Sequence, residues 1–258
     1  MNESKNGGPS ESGKLLGRLS GPFREFGWRV GALYLVDRAL RTLSPGLGLH
    51  VYDFMVQPIG GKALLAPNLS RGLSFQEIVP GHPDIALMPA REDIKALRFV
   101  QGARCLGTYS KGQLIGYLWY CTGRYEEDEV RCTYELVDAT HSIFDFDLYV
   151  MPQYRLGVGF LGVWHGANET LAARGVRYTF SRLSRFNTAS RRAHAHLGWK
   201  RVGHGVFFRV WSLELMAATV APYFAVTVGS DSRVTLRLRP DALATARPKT
   251  KGSIGIKP

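Results

Sequence analysis

The sequence predicts an α/β fold, and three observations predict it. A strand, a glycine-bearing basic turn and a helix follow one another across residues 148–174. Two apolar runs, 104–109 and 114–121, flank Lys111-Gly112, a good hairpin signal. Short apolar runs alternate with helical stretches along most of the remaining chain. The 258 residues, 45% of them hydrophobic, allow one or two domains with a substantial core.

The elements follow in order. Residues 1–13 are polar and Gly/Ser-rich, with no signal-peptide core, and read as a disordered tail. Residues 14–49 read as a basic helical extension. Within it, Trp28, Leu33, Tyr34, Val36, Leu40 and Leu43 recur among Arg29, Arg38 and Arg41 at amphipathic spacing, and Pro45-Gly46 ends the helix. That helix is expected either to pack on the domain that follows or to lie on an anionic membrane surface. A strand is predicted over 50–59, a loop over 60–72, a strand over 75–79 and a helical region over 84–100. After the hairpin come a charged loop, 123–129, and strands over 130–137 and 142–150. Beyond the helix that ends near Gly175, strands are predicted over 176–184 and 200–211. Residues 215–228 are uncharged, interrupted by Pro222, and expected in the core. Residues 230–239 alternate Arg233, Arg237 and Arg239 with Val234, Leu236 and Leu238, a strand with one basic face. The main domain is therefore 50–239, and 240–258 is a basic mobile tail.

The formal net charge is +12. Such a balance suits polyanionic partners, among them phosphate-rich cofactors and acidic headgroups. No nucleic-acid module and no aromatic-basic ladder accompanies it, so nucleic acid is not expected. Cys105, Cys121 and Cys132 lack metal-ligand or disulfide spacing. No metal is expected, and a cytoplasmic setting, peripheral to the membrane at most, is the simplest.

The organising stretch begins with an apolar strand running into Pro152, which offers no N–H to a sheet ladder. Arg155, Gly157 and Gly159 follow, then an amphipathic helix. Glycines allow close backbone approach, unpaired N–H groups at a helix start face negative charge, and Arg155 adds a full positive charge. A pyrophosphate suits this cradle. The three-glycine dinucleotide pattern and the Gly-Lys-Ser/Thr ending of a nucleotide P-loop are both absent. Downstream, 187–199 reads as a short helix capped at Asn187 and stopped at Gly198.

Together these two stretches resemble the GNAT superfamily of acyl-CoA-dependent N-acyltransferases, over roughly 102–211. That family carries a V-x-P-x-x-R-G-x-G-x-G turn and, about thirty residues later, an N-x-x-(S/A)-x-x-x-Y-x-x-x-G-(F/W) helix. Asn187, Ser190, Gly198 and Trp199 match the second motif. The phosphate turn, Arg155-Leu156-Gly157-Val158-Gly159, is one residue shorter than the family's, and His194 stands where the family has tyrosine. The resemblance implies a mixed, mostly antiparallel sheet flanked by helices, with an acyl-CoA, most simply acetyl-CoA, as co-substrate. It places coenzyme A against Leu148, Tyr149, Val150, Tyr154, Arg155, Gly157, Val158, Gly159 and Asn187, with a backbone N–H near 148–150 polarising the thioester carbonyl.

Acyl transfer to an amine needs a neutral nucleophile, donors for an oxyanion and a proton for the leaving thiolate. His194 falls where the family's acid stands, and histidine can do that chemistry. Asp145 and Asp147, two apart on one strand, are expected on one face as candidate bases, Asp147 ahead of Asp145. Glu135 and His141 are weaker candidates; His165 and His196 are expected to be structural. The resulting expectation is an N-acyltransferase acting on an amine-bearing small molecule or lipid-linked precursor. Two alternatives stand beside it: transfer of a long-chain acyl or aminoacyl group at a membrane surface, and a degenerate GNAT domain that only binds.

Overall fold

The computed structural model describes residues 20–60, 63–155 and 157–240. The two tails expected at 1–13 and 240–258 fall outside these residues, apart from Pro240. Residues 20–26 form helix α1, and Gly27 separates it from α2, Trp28–Leu43. The chain continues through β1 (Leu47–Pro58), a short helix α3 (Pro67–Ser70), β2 (Leu73–Ile78), a 3₁₀ turn (Pro83–Leu87) and α4 (Glu92–Val100). Next come β3 (Arg104–Ser110), β4 (Gln113–Thr122), β5 (Arg124–Glu126), β6 (Cys132–Leu136) and β7 (Ser142–Val150). A 3₁₀ turn (Pro152–Tyr154) leads into α5 (Gly159–Ala173), followed by β8 (Tyr178–Ser184) and α6 (Thr188–Ala195). Four strands close the described chain: β9 (Lys200–Val210), β10 (Leu213–Ala218), β11 (Phe224–Val228) and β12 (Val234–Leu238).

Nine strands make one sheet, in the order β11-β10-β9-β1-β8-β7-β4-β3-β2. Within it every neighbouring pair is antiparallel except β7 and β8. Those two are joined through α5, because parallel neighbours need a long crossover and a helix supplies it. The mixed, mostly antiparallel α/β architecture is thus the one expected. A second sheet, β12-β6-β5, covers the face opposite α5. Its Tyr134 stacks on Phe144 at 4.6 Å, and its Tyr125 on Phe146 at 4.0 Å. On the α5 side, Leu106, Leu118 and Ile143 meet Val163, Trp164, Ala167 and Leu171. Two apolar layers therefore sandwich the large sheet, and their burial supplies most of its stabilisation.

Several expectations change. The loop expected at 123–129 contains β5, and the helical region expected over 84–100 is interrupted. The stretch 215–228 is a hairpin at the sheet's edge rather than core, leaving Tyr223, Phe224, Val226 and Val228 exposed. Strand β1 begins three residues earlier than expected and takes a central place between β8 and β9. Helix α2 packs against β1 through a face that includes Asp37, which accepts the Leu49 N–H at 2.9 Å, while Gly31 lies against Pro22 and Phe23 of α1. Tyr34 meets Phe26 and Phe186. Trp28, Val36 and Leu43 remain on the outside, 71%, 48% and 77% exposed.

Candidate active site

One irregularity in β7 builds the site. Trp119 pairs with Asp147, and the next residue of β4, Tyr120, pairs with Asp145, so Phe146 is the extra residue of a β-bulge. The bulge resets the alternation of side chains. Ile143, Leu148 and Val150 pack on the α5 side, whereas Phe144, Phe146 and Tyr149 pack on the other. Asp145 and Asp147 consequently do not share a face. Asp147 falls with Phe146, where Arg98 of α4 reaches both, donating to Asp147 at 2.6 Å and lying over the Phe146 ring at 5.2 Å. Asp145 turns toward β8 and accepts the Thr179 hydroxyl at 2.6 Å.

Beyond the bulge β7 leaves β8. Their parallel ladder runs only from Ser142↔Tyr178 to Asp145↔Ser181. Strand β8 continues beside β1 as far as Ser184, while 146–150 stays with β4. Alternate backbone groups of 146–150 therefore face the side that β8 has left. The gap is a cleft of about 990 Å³.

At one end lies the glycine turn. Gly157 adopts φ +127°, a conformation open mainly to glycine. At Gly159, the first residue of α5, a Cβ would overlap the Tyr154 carbonyl oxygen and stand 2.7 Å from Val150 Cγ1. No side chain caps α5, and Arg155 and Phe160 line the adjoining cleft end, whereas Gly157, Val158 and Gly159 lie beside that end and outside the lining. Arg155 Nε donates to the Val150 carbonyl at 3.1 Å, and the guanidinium lies over Tyr149 at 5.2 Å. Leu148, Tyr149, Val150 and Asn187 line the same cleft. Asn187 also caps α6, accepting the Ser190 N–H at 2.9 Å. Tyr154 lies outside the lining, its hydroxyl bonded to Gln113 at 3.0 Å.

At the other end is a charged network. Arg182 of β8 forms a two-pronged pair with buried Glu127, at 2.6 and 2.7 Å. It also meets Glu129 at 3.1 Å and covers the Tyr52 ring at 4.7 Å. Burial pushes the Tyr52 hydroxyl's pKa up, so it stays protonated and donates to Glu129 at 2.5 Å. His50 Nδ1 lies 3.0 Å from the same hydroxyl. Burial favours the protonated form of Glu129, but Arg182, the Tyr52 bond and His50 outweigh it and hold its carboxyl below the usual range. Arg98 bridges Asp147 to Asp128, its second contact at 3.0 Å. A second opening, about 400 Å³, reaches this network from the α4 side and shares Asp128, Glu129, Phe146, Asp147 and Arg182 with the cleft. The two openings thus lie on either side of these shared side chains, at the place where β7 and β8 part.

Burial pushes Asp145 up to about 7, despite hydrogen bonds from Thr179 and Ser181. A buried carboxyl that titrates near neutrality, at the fork of the cleft, is suited to proton transfer. His194 differs from the expectation of an acid. It is buried among Phe160, Trp164 and Trp199, and desolvation lowers it to about 4. Its Nδ1 lies 2.7 Å from the Ser190 carbonyl, an acceptor, so Nδ1 carries the proton and Nε2 is bare at neutral pH. A bare nitrogen has nothing to give a leaving thiolate. Glu135 pairs with Arg237 on the small sheet, and His141 bonds Asp138 in a loop. His165 is buried on α5, and His196 sits at the end of α6. None of these four lines the cleft.

The sequence reading missed Tyr52, Arg98, Glu129 and Arg182. Arg182 left one trace, a charge in the middle of the otherwise uncharged 178–184 strand.

No family model matches the sequence, and no curated protein does. Solved structures do. The chain is similar to GNAT acetyltransferases. A tandem GNAT protein from the clavulanic acid biosynthesis pathway shares 13% identity over 63% of this chain and 53% of its own, with a TM-score of 0.43. A GCN5-related N-acetyltransferase from Sphaerobacter thermophilus shares 15% over 70% and 56%, at 0.42. A GCN5-related glucosamine N-acetyltransferase region of a fungal multi-domain β-N-acetylglucosaminidase shares 15% over 65% and 22%, at 0.41. The chain spans about half the length of the first of these. The cleft between β7 and β8, rather than these scores, carries the functional reading.

Proposed function

We propose that this chain is a GNAT-type N-acyltransferase that moves an acyl group, most simply acetyl, from coenzyme A to an amine. One observation carries the reading. The bulge at Phe146 parts β7 from β8 and leaves a cleft running from Arg155 and Phe160, beside an uncapped helix start, to a carboxylate network. A pyrophosphate belongs at Gly157–Gly159 and Arg155. The pantetheine arm then lies along 146–150, where outward backbone groups replace the missing strand, and Asn187 faces it. A backbone N–H of 148–150 polarises the thioester carbonyl. The acceptor enters from the α4 side, its ammonium drawn to Glu129 and Asp147. Asp145 takes the ammonium proton, directly or through water. The neutral amine attacks the carbonyl carbon, the tetrahedral oxyanion collapses, and the C–S bond breaks. The thiolate takes its proton from solvent or from the acceptor nitrogen rather than from His194.

Thiol release from acetyl-CoA and long-chain acyl-CoAs, measured with a panel of amines beside calorimetric binding of coenzyme A, tests this. Saturable binding with amine-dependent thiol release is expected. Binding without release for any donor leaves the binding-only alternative, and no binding ends the reading.

A second reading, in which the reaction occurs at a membrane surface, draws on α2. The outward side of α2 carries the apolar Trp28, Val36 and Leu43, beside Arg29, while Asp37 faces inward. Salt-sensitive co-sedimentation with anionic vesicles, lost in Trp28→Ser/Leu43→Ser, is expected. Protein that stays in the supernatant at low salt excludes it. No helix among the described residues is long and apolar enough to cross a membrane.

A further inference from the structure

One side of the cleft takes no part in the reaction as proposed. Strand β8 pairs with β1 only as far as Ser184, opposite Tyr52. Helix α2 takes over there, where Asp37 accepts the Leu49 N–H. On this side the cleft is lined by Arg41 of α2, Leu49 and His50 of β1, Phe186, and Arg209 of β9. The basic groups gather around Gly48. Arg41 Nη2 and His50 Nε2 each stand 3.7 Å from where a Gly48 Cβ would be, and Arg209 is Gly48's cross-strand partner.

Both arginines are anchored from one side only. Arg41 Nε donates to the two Asp37 oxygens, at 2.8 and 2.9 Å. Arg209 donates to Glu214 through Nε and Nη2, at 3.0 and 2.9 Å, and to the Glu129 carbonyl through Nη2. Neither Asp37 nor Glu214 belongs to the cleft lining. Both terminal nitrogens of Arg41, and Nη1 of Arg209, have no acceptor among the described residues. The two side chains are 51% and 30% exposed, so these donors are open to a ligand. His50 registers the balance. Burial, and then Arg41 and Arg209, hold its pKa below the ordinary range against Glu129 and Asp37, and each guanidinium acts on the ring more strongly than Asp37 does. Past Glu129, then, the cleft wall is positive.

We propose, resting on the acyltransferase reading, that the acceptor is a zwitterion of amino-acid type, whose ammonium meets Glu129 while its anionic group, a carboxylate or a phosphate, meets Arg41 and Arg209. A guanidinium offers parallel N–H donors that match the oxygens of either anion. The two charges of the acceptor lie close together. Only the Tyr52 hydroxyl and one imidazole, joined by two hydrogen bonds, separate the Glu129 carboxylate from His50 Nε2, beside Arg41. That span suits an amino acid or a short peptide. A simple amine leaves the Arg41 donors unused. A polyamine brings its second ammonium against two guanidiniums, and that repulsion sharpens the selection.

The test measures thiol release by the full chain with matched acceptors. Each common amino acid is compared with its carboxamide, and phosphoethanolamine with ethanolamine, the first pairs reporting a carboxylate and the last a phosphate. Rates are expressed per unprotonated amine, because removing the anion also lowers the amine's pKa. For the best pair, kcat/KM is expected to favour the anionic member by about tenfold or more, chiefly through KM. Arg41→Gln should bring that ratio toward one without lowering the melting temperature, since the side chain is half exposed and Asp37 keeps the Leu49 N–H. Arg38→Gln, exposed on the same helix and outside the lining, should leave the ratio as it is. Release that ignores the anion or prefers the uncharged member overturns this inference and leaves the acyltransferase reading standing. So does a preference that survives Arg41→Gln. No release from any donor with any of these amines ends both.

Discussion

The two ends of the cleft are made from different materials. The cradle end is mainly backbone: a glycine at φ +127°, a helix start without a cap and one arginine fixed to the strand it follows. All of it comes from 150–159. The acceptor end is mainly side chain. It gathers Tyr52 from β1, Arg98 from α4, Glu127 to Glu129 from the loop after β5, Asp147 from β7 and Arg182 from β8. A backbone site can hold any pyrophosphate, because every helix start offers the same donors. A side-chain site holds what its particular charges select. Chemistry at the fork should therefore be the most sensitive to a single substitution, the buried network should fail by unfolding, and the cradle should fail in affinity alone.

Asp145 at the fork carries the largest expected effect. Asp145→Asn keeps the size and the Thr179 contact but removes the base, and kcat should fall by about 10²–10⁴. In the wild type kcat/KM should rise with pH through about 7, and the variant should lose that limb. Stability moves the other way. The folded-state value of about 7 lies above the ordinary 3.8, so between them the folded protein holds a proton the unfolded chain releases. Stability thus falls as pH climbs through that window, and above it the variant should be the more stable protein. Melting curves at pH 4 and pH 8 check the sign. A variant with full turnover would move the base to Glu129.

Arg182→Met comes next. It strands Glu127, whose side chain is fully buried, and should cost about 3–5 kcal/mol in urea unfolding. Adding Glu127→Leu should recover most of the loss. Coenzyme A affinity of the folded fraction should be unchanged, which is what separates the two ends.

Gly157→Asp should do the reverse. A Cβ there meets no atom within 4 Å, so the fold survives, but the residue is strained at its φ and sets a carboxylate against the phosphates. Loss of one charge-assisted contact, at about 1.5–3 kcal/mol, means roughly ten- to a hundredfold weaker binding by calorimetry. Gly157→Ala separates strain from charge and should fall between.

How much of this was legible follows from the same contrast. The strand, turn and helix of the cradle are contiguous, so proline, glycine and arginine at fixed spacing reveal them; Asn187 capping α6 is equally local. The acceptor network depends on which strands become neighbours. Nothing in 47–58 announces that β1 will lie between β8 and β9, and so bring Tyr52 beside Arg182. The bulge at Phe146 was invisible for a related reason. Strict alternation put Asp145 and Asp147 on one face, but the extra residue is defined only by its partner strand, where Trp119 and Tyr120 are consecutive.

The smallest effect is expected at the residue the motif singled out for acid catalysis. His194 sits in an aromatic box, 4.2 Å from Trp199 and 5.1 Å from Phe160 between ring centres. Its lowered pKa, about 4, means that near pH 7 almost none of it is imidazolium, and its one proton is committed to the Ser190 carbonyl. A phenyl ring fits the same aromatic surroundings and gives up only the contacts of Nδ1 with the Ser190 carbonyl and hydroxyl of its own helix. His194→Phe should therefore change kcat by no more than about threefold, under 1 kcal/mol in barrier, with coenzyme A affinity unaltered. The pH dependence of stability supplies an independent sign. In the unfolded chain the histidine takes up a proton near its ordinary 6.5, whereas the folded ring resists until about 4, so wild-type stability falls as pH drops through that interval. The phenylalanine variant lacks this loss, and its melting temperature should overtake the wild type's on acidification. A drop in kcat of about tenfold or more at unchanged coenzyme A affinity would mean that Nε2 is protonated in the working complex, and would return the acid role to His194.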